Sequence, residues 1–214
     1  LIKHLKKKKI SHKYLFIDKK IKINFLRNIL RKDKFDYLIS YRNPKLLTKE
    51  ILSFAKKLNI NFHPSPPKYR GVGGFNLAIL NSDKEYGVTA HIMTDKLDNG
   101  LIIDFTKFKI SKDIELNELI NQTRKLQFVQ ILKLLNYLTA RTLDIKSIKI
   151  KNKKKKFVWE KKIFYLKDLE KLYTIDINKN SNFEIKKKIR ATLMCGFAPK
   201  MVFKNYEFLL KNDK

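Results

Sequence analysis

The chain has 214 residues, 49 of them lysine or arginine and only 20 aspartate or glutamate, which gives a formal net charge of +29. Its 43% hydrophobic and 12% aromatic residues favour a globular protein with a substantial core over a disordered one. No apolar run reaches the roughly 20 residues that a membrane-spanning helix needs. The single cysteine excludes an internal disulfide and suits a reducing compartment. We therefore expect a cytoplasmic protein without a membrane partner.

The basic charge has two interpretations. An excess of this size attracts polyanions, so it indicates nucleic acid binding. Only seven of the basic residues are arginine, however, and arginine supplies the forked contacts on which nucleic acid sites depend. We favour a solvated lysine-rich surface that helps to hold an anionic substrate, and we regard nucleic acid as the less favoured partner.

The first hundred residues alternate between predicted strands and helices. Nearly continuous apolar runs predict strands at 13–17 and 35–41, and a further strand is expected at 59–62. Apolar residues at helical spacing predict helices over 21–30 and 47–58. This order is typical of an α/β, Rossmann-like fold with a mostly parallel sheet. Because the chain starts within what would be the first helix of such a fold, we expect the first strand to be missing.

The rest of the chain predicts a longer helical segment and a small C-terminal region. The expected elements are a helix at 75–80, strands at 86–93 and 100–108, one long helix or two in tandem within 114–139, helices at 166–172 and 183–193, and a hairpin of 201–203 with 206–210. In the hairpin, Asn205 of the Lys204-Asn205 turn can take a positive φ. The basic run Lys149–Lys156 is the best candidate boundary. The predicted division is a core at 1–142, a linker at 143–156 and an α+β subdomain at 157–214.

Three polar residues form a candidate catalytic set. Asn61 and His63 lie two positions apart on a predicted strand, so they share one face, and Asp98 lies in a later loop. An amide can donate to the oxyanion that forms in acyl transfer. An imidazole can accept the proton of an attacking amine, and a carboxylate can orient that imidazole. The set therefore indicates transfer of an acyl group to an amine.

The surrounding motifs resemble one known family. The segments NFHPSPPKYRG at 61–71, EYGVTAH at 85–91 and LDNG at 97–100 are similar, in order and spacing, to the folate-dependent formyltransferases. The resemblance covers roughly residues 36–108, about half of the chain. It implies a Rossmann-like core, N10-formyltetrahydrofolate as co-substrate, no metal, and Asn61, His63 and Asp98 as the catalytic triad.

The same resemblance implies binding residues around the triad. Ser65 matches the serine of the family's His-Pro-Ser motif, and His91 matches a histidine found in several members. Leu46 and Leu47 correspond to the loop whose backbone faces the pterin ring. Arg70, Gly73 and Gly74 are expected to contact the second substrate, since an arginine can meet a diphosphate and glycines permit close approach of the backbone.

The acceptor substrate is predicted from the continuation of the motif. The Gly-Gly-Phe-Asn run at 73–76 and the tail, with IRAT at 189–192, Gly196-Phe197 and a short hairpin, resemble the sugar N-formyltransferases. This implies formylation of a nucleotide-linked aminodeoxy sugar, in surface polysaccharide biosynthesis of the O-antigen type. A methionyl-tRNA formyltransferase is the first alternative. A non-catalytic basic binding protein on a decayed formyltransferase fold is the second, although decay would be expected to remove a triad residue. The oligomeric state stays open, with a homodimer as one option.

Overall fold

A computed structural model of the chain describes residues 1–140, 143–146, 157–194 and 198–210. The protein forms two compact units, each assembled from three stretches of the chain. The first contains Leu1–His63, Thr89–Asp104 and Leu126–Phe157, and the second contains Pro64–Val88, Phe105–Lys125 and Val158–Lys214. The units interleave along the chain. The division into a core at 1–142, a linker at 143–156 and a subdomain at 157–214 stays a prediction. The basic run at 149–156 and the Gly-Phe pair at 196–197 lie outside the described residues. No described helix has the length and apolar character needed to cross a membrane.

The regular elements alternate along the chain as an α/β fold requires. They are α1 Ile2–Lys7, α2 Ile23–Arg31, β1 Phe35–Tyr41, α3 Lys49–Leu52, β2 Ala55–His63, β3 Arg70–Gly71, α4 Gly74–Leu80, β4 Glu85–Ile92, β5 Ile102–Lys109, α5 Leu116–Thr139, β6 Ile163–Phe164, α6 Leu166–Glu170, a 3-10 turn at Lys171–Tyr173, β7 Thr174–Asp176, α7 Asn182–Thr192, β8 Lys200–Phe203 and β9 Tyr206–Leu209. The described strands form three sheets, in the orders β1-β2-β4-β5, β3-β6 and β7-β8-β9. The predicted α/β fold with a hairpin at its C-terminal end is confirmed.

Strand β2 carries the two central ladders of the first unit. It is parallel to β1, with the pairs Ser40–Asn61 and Tyr41–Phe62 at the end of the ladder. It is antiparallel to β4 from Ile60–Ile92 to His63–Thr89. A strand flanked on both edges has its backbone groups satisfied and its path fixed. The C-terminal end of β2 is therefore a rigid place from which to present side chains.

The predicted strand at 13–17 is wrong. This segment has no regular secondary structure, and the Phe16 side chain is 85% exposed. Its aromatic rings meet each other, with Tyr14 edge-on to Phe16 at 5.5 Å, and Lys13 pairs with Asp33 at 2.7 Å. A short apolar run predicts a strand only where a neighbouring strand takes up its backbone groups. In the described sheet, β1 is the outer strand and this segment does not pair with it.

The predicted helix over 47–58 is wrong in its length, because α3 ends at Leu52. Thr48 caps its start by accepting from the Ile51 backbone amide at 3.3 Å. At the other end, the Asn59 side chain donates to the Leu52 carbonyl at 2.8 Å. The residues from Ala55 onward then pair with β1. Sheet pairing thus overrides the helical spacing of the apolar residues.

Two apolar clusters lie in the first unit. One joins α2 and α3, which meet through Leu26, Leu30, Leu47, Ile51 and Leu52. The other joins the strands to α5, which is one continuous helix over the range where one or two were expected. Its buried members are Ile60, Phe62, Ala90, Ile103, Ile131, Leu134, Leu135 and Leu138. This second cluster lies directly beneath the strand that carries Asn61 and His63.

The second unit has its own core and the C-terminal hairpin. Its buried members are Tyr69, Ala78, Ile79, Tyr86, Ile110, Ile114, Leu116, Leu119 and Ala191. The Asn76 side chain donates to the Ala191 carbonyl at 2.7 Å, which ties α4 to α7. Strands β8 and β9 form the predicted hairpin, but the positive φ falls on Lys204, at 52°, rather than on Asn205.

Candidate active site

The end of β2 and the facing part of β4 place three polar side chains together in the first unit. Asn61 and His63 share one face of β2 because side chains alternate along a strand. Asn61 lies directly opposite His91 in the antiparallel register. The Asn61 Nδ2 and His91 Nε2 atoms are 3.2 Å apart. The register therefore adds an imidazole to the predicted pair.

Asp98 joins both histidines. Its Oδ2 lies 3.4 Å from His63 Nδ1, and its Oδ1 lies 3.3 Å from His91 Nε2. The Asp98 residue is only 5% exposed, so water screens these contacts little. Its backbone has a φ of +40°, a region that aspartate tolerates better than most residues. The loop thus bends sharply at the residue whose carboxylate faces the two imidazoles.

The hydrogen bonds of His91 indicate how its ring is arranged. Its Nδ1 lies 3.0 Å from the Ile92 carbonyl, and a carbonyl can only accept, so Nδ1 carries a proton. In the neutral ring, Nε2 is then the acceptor, and it accepts from the Asn61 amide. An imidazolium at His91 would instead donate from Nε2 to Asp98. Nε2 thus binds the Asn61 amide in the neutral ring and the Asp98 carboxylate in the charged ring, an alternation that the sequence alone did not reveal.

The chemistry of this cluster fits acyl transfer to an amine. The Asn61 amide has two N–H donors, so one can contact His91 while the other faces a ligand. The His63 imidazole has a second nitrogen besides the one near Asp98, and that nitrogen can accept a proton. Within the described ranges, no group of three or more His, Cys, Asp or Glu side chains has the arrangement of a metal site.

The predicted folate-facing residues of the first unit differ in their surroundings. Leu47 is buried in the cluster with α2 and α3, whereas Leu46 is 52% exposed. Leu47 therefore has a packing role of its own. A backbone contact of either residue with folate stays a prediction.

Ser65, in the second unit, belongs to a buried hydroxyl pair. Its Oγ lies 3.0 Å from the Tyr86 hydroxyl, which also donates to the Pro64 carbonyl at 3.0 Å. Gly74 packs against this pair, since a Cβ there would lie 1.9 Å from Ser65 Oγ. Burial raises the pKa of the Tyr86 hydroxyl above its ordinary value. These contacts hold the Pro64-Ser65 turn in place, and folate binding by Ser65 stays a prediction.

Arg70 and Gly73 also have structural roles in the second unit. Arg70 is buried, and its Nη1 donates to the Glu160 carbonyl at 3.0 Å. Gly73 has a φ of +83°, and a Cβ there would lie 2.1 Å from a methyl carbon of Leu169. Both residues are thus explained by contacts within the protein. Their predicted contact with the second substrate, like that of Gly74, is not required to explain them.

One residue near the site carries no signal in the motifs. Gln127 of α5 is buried, and its Nε2 donates to the Phe62 carbonyl at 2.9 Å, between Asn61 and His63 along β2. The polar side chains that fall on the inner face of α5, Thr123, Gln127 and Gln130, are the signal that could have identified it, since a buried polar group needs a partner. His91 was already a predicted binding residue, and its contact with Asn61 follows from the pairing of β2 with β4.

Comparison with known proteins identifies the family. A family model described as formyl transferase matches residues 6–134, more than half of the chain. The chain belongs to this family. Two curated relatives are the bifunctional polymyxin resistance protein ArnA of Wigglesworthia glossinidia brevipalpis, 37% identical over 110 residues, and the methionyl-tRNA formyltransferase of Orientia tsutsugamushi, 33% identical over 119 residues. These matches cover 50% and 55% of this chain, but only 17% and 39% of the relatives.

Solved structures share the fold over a larger part of the chain. A 4-N formyltransferase from Francisella tularensis has a TM-score of 0.71 at 17% identity, covering 98% of this chain and 79% of that one. An N-formyltransferase from Helicobacter canadensis, solved with folinic acid and dTDP-3-aminofucose, has a TM-score of 0.61 at 23% identity. That match covers 78% of this chain and 58% of the other. At these identities the likeness establishes the fold.

Proposed function

We propose that this protein transfers the formyl group of N10-formyltetrahydrofolate to the amine of a nucleotide-linked aminodeoxy sugar. The observation that carries the proposal is the cluster of the half-buried Asn61 with the buried His63 and Asp98, in which His63 Nδ1 lies 3.4 Å from Asp98 Oδ2. All three residues occupy positions that match the family's triad. A decayed site would be expected to lose one of them or their mutual contacts, so the cluster argues against the non-catalytic alternative.

Each residue of the cluster has a distinct part in this reaction. When bound, the folate supplies an activated formyl group with a nitrogen leaving group. Asn61 would donate an N–H to the formyl oxygen as negative charge develops there. His63 would accept the proton that the attacking amine loses and deliver a proton to the departing nitrogen. Asp98 would orient the His63 ring and stabilise its charged form.

The donor set fits a formyl-folate on chemical grounds. Negative charge develops on one oxygen in the tetrahedral intermediate and one proton moves from the amine to the leaving nitrogen, and the cluster offers one amide donor and one carboxylate-paired base. Ser65 and the backbone of Leu46 and Leu47 are proposed to contact the folate, as the family resemblance implies. His91, which we predicted as a folate contact, is proposed to hold either Asn61 or Asp98 according to the charge of its ring, given its distances of 3.2 and 3.3 Å.

Two observations support a sugar acceptor over tRNA. The Gly-Gly-Phe-Asn run at 73–76 follows the pattern of the sugar enzymes. Among the solved structures, the Francisella 4-N formyltransferase aligns with 98% of this chain, and the Helicobacter enzyme was solved with a dTDP-linked amino sugar. Methionyl-tRNA remains a second candidate, because most curated relatives carry that activity in their names and the net charge of +29 suits a polyanion. The proposed role in surface polysaccharide assembly follows from the sugar acceptor.

A substrate panel tests the proposal. The full chain is incubated with N10-formyltetrahydrofolate and either dTDP- or GDP-linked 3- or 4-amino sugars or methionyl-tRNA, and release of tetrahydrofolate is followed. We expect turnover with at least one amino sugar. Turnover of methionyl-tRNA without any sugar would reject the sugar assignment, and turnover of neither would reject the proposed activity.

The role of His63 is tested with the accepted substrate. His63→Ala should lower kcat about a hundredfold or more, the usual scale for loss of a general base. His12→Ala is the matched control, since His12 belongs to the same unit and its ring contacts only the Ile10 carbonyl among the hydrogen bonds described, at 2.7 Å. An unchanged kcat in His63→Ala would remove His63 from the mechanism.

A further inference from the structure

Strand β2 receives a side-chain hydrogen bond at the carbonyl of Phe62, the residue between its two proposed catalytic residues. Gln127 of α5 donates from Nε2 to the Phe62 carbonyl at 2.9 Å, and it is only 1% exposed. We propose that Gln127 is a positioning residue, which holds the end of β2 in the orientation from which Asn61 and His63 act. The inference rests on the proposed formyl transfer and on the roles given to those two residues.

The surroundings of Gln127 do not otherwise call for an amide. The same helix and the strand beneath it meet through an apolar cluster that includes Ile60, Phe62, Ile131 and Leu134. Burying an amide among such residues is unfavourable unless it forms hydrogen bonds. The polar residue is therefore best explained by the acceptor that it meets.

The acceptor lies where the parallel ladder stops. The pairing of β1 with β2 ends at Tyr41–Phe62, and Gln127 binds the Phe62 carbonyl at this same position. Beyond it, β2 continues one further residue, to His63. The amide thus reinforces the backbone at the last residue before the proposed base.

The hydrogen bond acts directly on the His63 backbone. The Phe62 carbonyl oxygen and the His63 nitrogen belong to one planar peptide, so an interaction that holds the oxygen also holds the plane that carries the His63 Cα. A displacement of about 1 Å at reacting groups can cost on the order of a hundredfold in rate. A group that touches neither substrate can therefore affect kcat through this plane.

Gln127→Met tests the inference, because methionine keeps an unbranched side chain of similar length and cannot donate. We expect kcat for the accepted substrate to fall between about tenfold and a hundredfold, with KM changed less than about twofold. Gln130→Met is the matched control. Gln130 is also buried on α5, but it donates to Asp104 Oδ2 at 2.8 Å, on β5, and this carboxylate keeps a contact with Lys133 at 3.0 Å.

The comparison separates positioning from stability. Both variants are expected to lower Tm, but only Gln127→Met should lower kcat at a temperature where all the proteins are folded. An unchanged kcat in Gln127→Met, or an equal loss in both variants, overturns the inference. If Gln127→Met does not fold, Gln127→Asn withdraws the amide by one methylene, and Gln130→Asn becomes its control.

A second readout does not depend on turnover. Phe62-His63 is the only Phe-His pair in the chain, so labelling with carbonyl-13C phenylalanine and 15N histidine gives a single HNCO peak for this peptide. Loss of the accepted hydrogen bond should move its carbonyl resonance upfield in Gln127→Met and leave it in place in Gln130→Met. The ring resonances of His63 should shift in the same variant. Unchanged signals overturn the inference even if the substrate proves to be different from the one proposed.

Discussion

Asp98→Asn is the sharpest test of the cluster, because it changes charge with almost no change in shape. The substitution removes a buried carboxylate that lies 3.4 Å from His63 Nδ1 and 3.3 Å from His91 Nε2. Hydrogen bonds to charged groups contribute about 1.5–3 kcal/mol each, and these two distances are long, so each contact falls near the lower limit. Only the His63 contact acts on the proposed base, and its loss corresponds to about 1.5 kcal/mol, or roughly tenfold in rate. We expect this loss in kcat, because the carboxylate acts through His63 rather than on the substrate.

The assay compares Asp98→Asn with Asp95→Asn. Asp95 lies in the same loop and is exposed, so its variant makes the same change of charge without touching the cluster. Tetrahydrofolate release with the accepted substrate gives kcat and KM, and circular dichroism confirms that both variants are folded. A kcat for Asp98→Asn within about threefold of wild type, or an equal loss in Asp95→Asn, would refute the role given to the carboxylate.

Two further predictions concern stability and its dependence on pH. Tyr86→Phe should lower the free energy of unfolding by about 1–2 kcal/mol at neutral pH, because the Pro64 carbonyl and Ser65 hydroxyl lose a partner. Burial raises the pKa of Tyr86, so above about pH 10 this tyrosine ionises only in the unfolded chain. The free energy of unfolding of the wild type should then fall by about 1.4 kcal/mol more per pH unit than that of the variant. Urea unfolding between pH 9 and 11 measures both, and the same pH dependence in the two proteins would contradict this. At the start of α7, hydrogen bonds from the backbone amide and the hydroxyl of Ser181 lower the pKa of Glu184. The Glu184 carboxylate should therefore stabilise the fold above the ordinary glutamate pKa, and this stabilisation should be lost as pH falls through the pKa of Glu184 in the folded protein. Glu184→Gln should therefore flatten the acid dependence of unfolding, and an unchanged pH profile would show that the carboxylate contributes nothing.

Local sequence patterns predicted several of the helices and strands correctly. The run Phe35–Tyr41 became β1 with the same bounds, and the apolar spacing over 114–139 became α5. The segment at 13–17 has a similar apolar pattern but no partner strand among the described residues. Residues 55–58 show helical spacing, yet they pair with β1 and lengthen β2. These two errors share one cause, because strand formation depends on a partner that local sequence does not specify.

The candidate site shows the same limit at the level of side chains. Alternation along a strand is sufficient to place Asn61 and His63 on one face. The proximity of His91 depends on the register of β2 with β4, and that of Gln127 depends on how α5 packs beneath the sheet. Neither can be inferred from spacing in one sequence, since a shift of one residue in register would turn His91 to the other face.

The motif that runs continuously from Asn61 to Gly71 is supported by different contacts in each unit. In the first unit, Asn61 and His63 are held by β1, by β4 and by the Gln127 amide. In the second, the Pro64-Ser65 turn is held by the Tyr86 hydroxyl. A string of this kind in the sequence therefore combines residues proposed for the chemistry with residues required by local packing. The burial of Arg70 and its bond to a backbone carbonyl give it a packing role of its own, so its contact with the substrate stays a prediction that a match to a family pattern does not establish by itself.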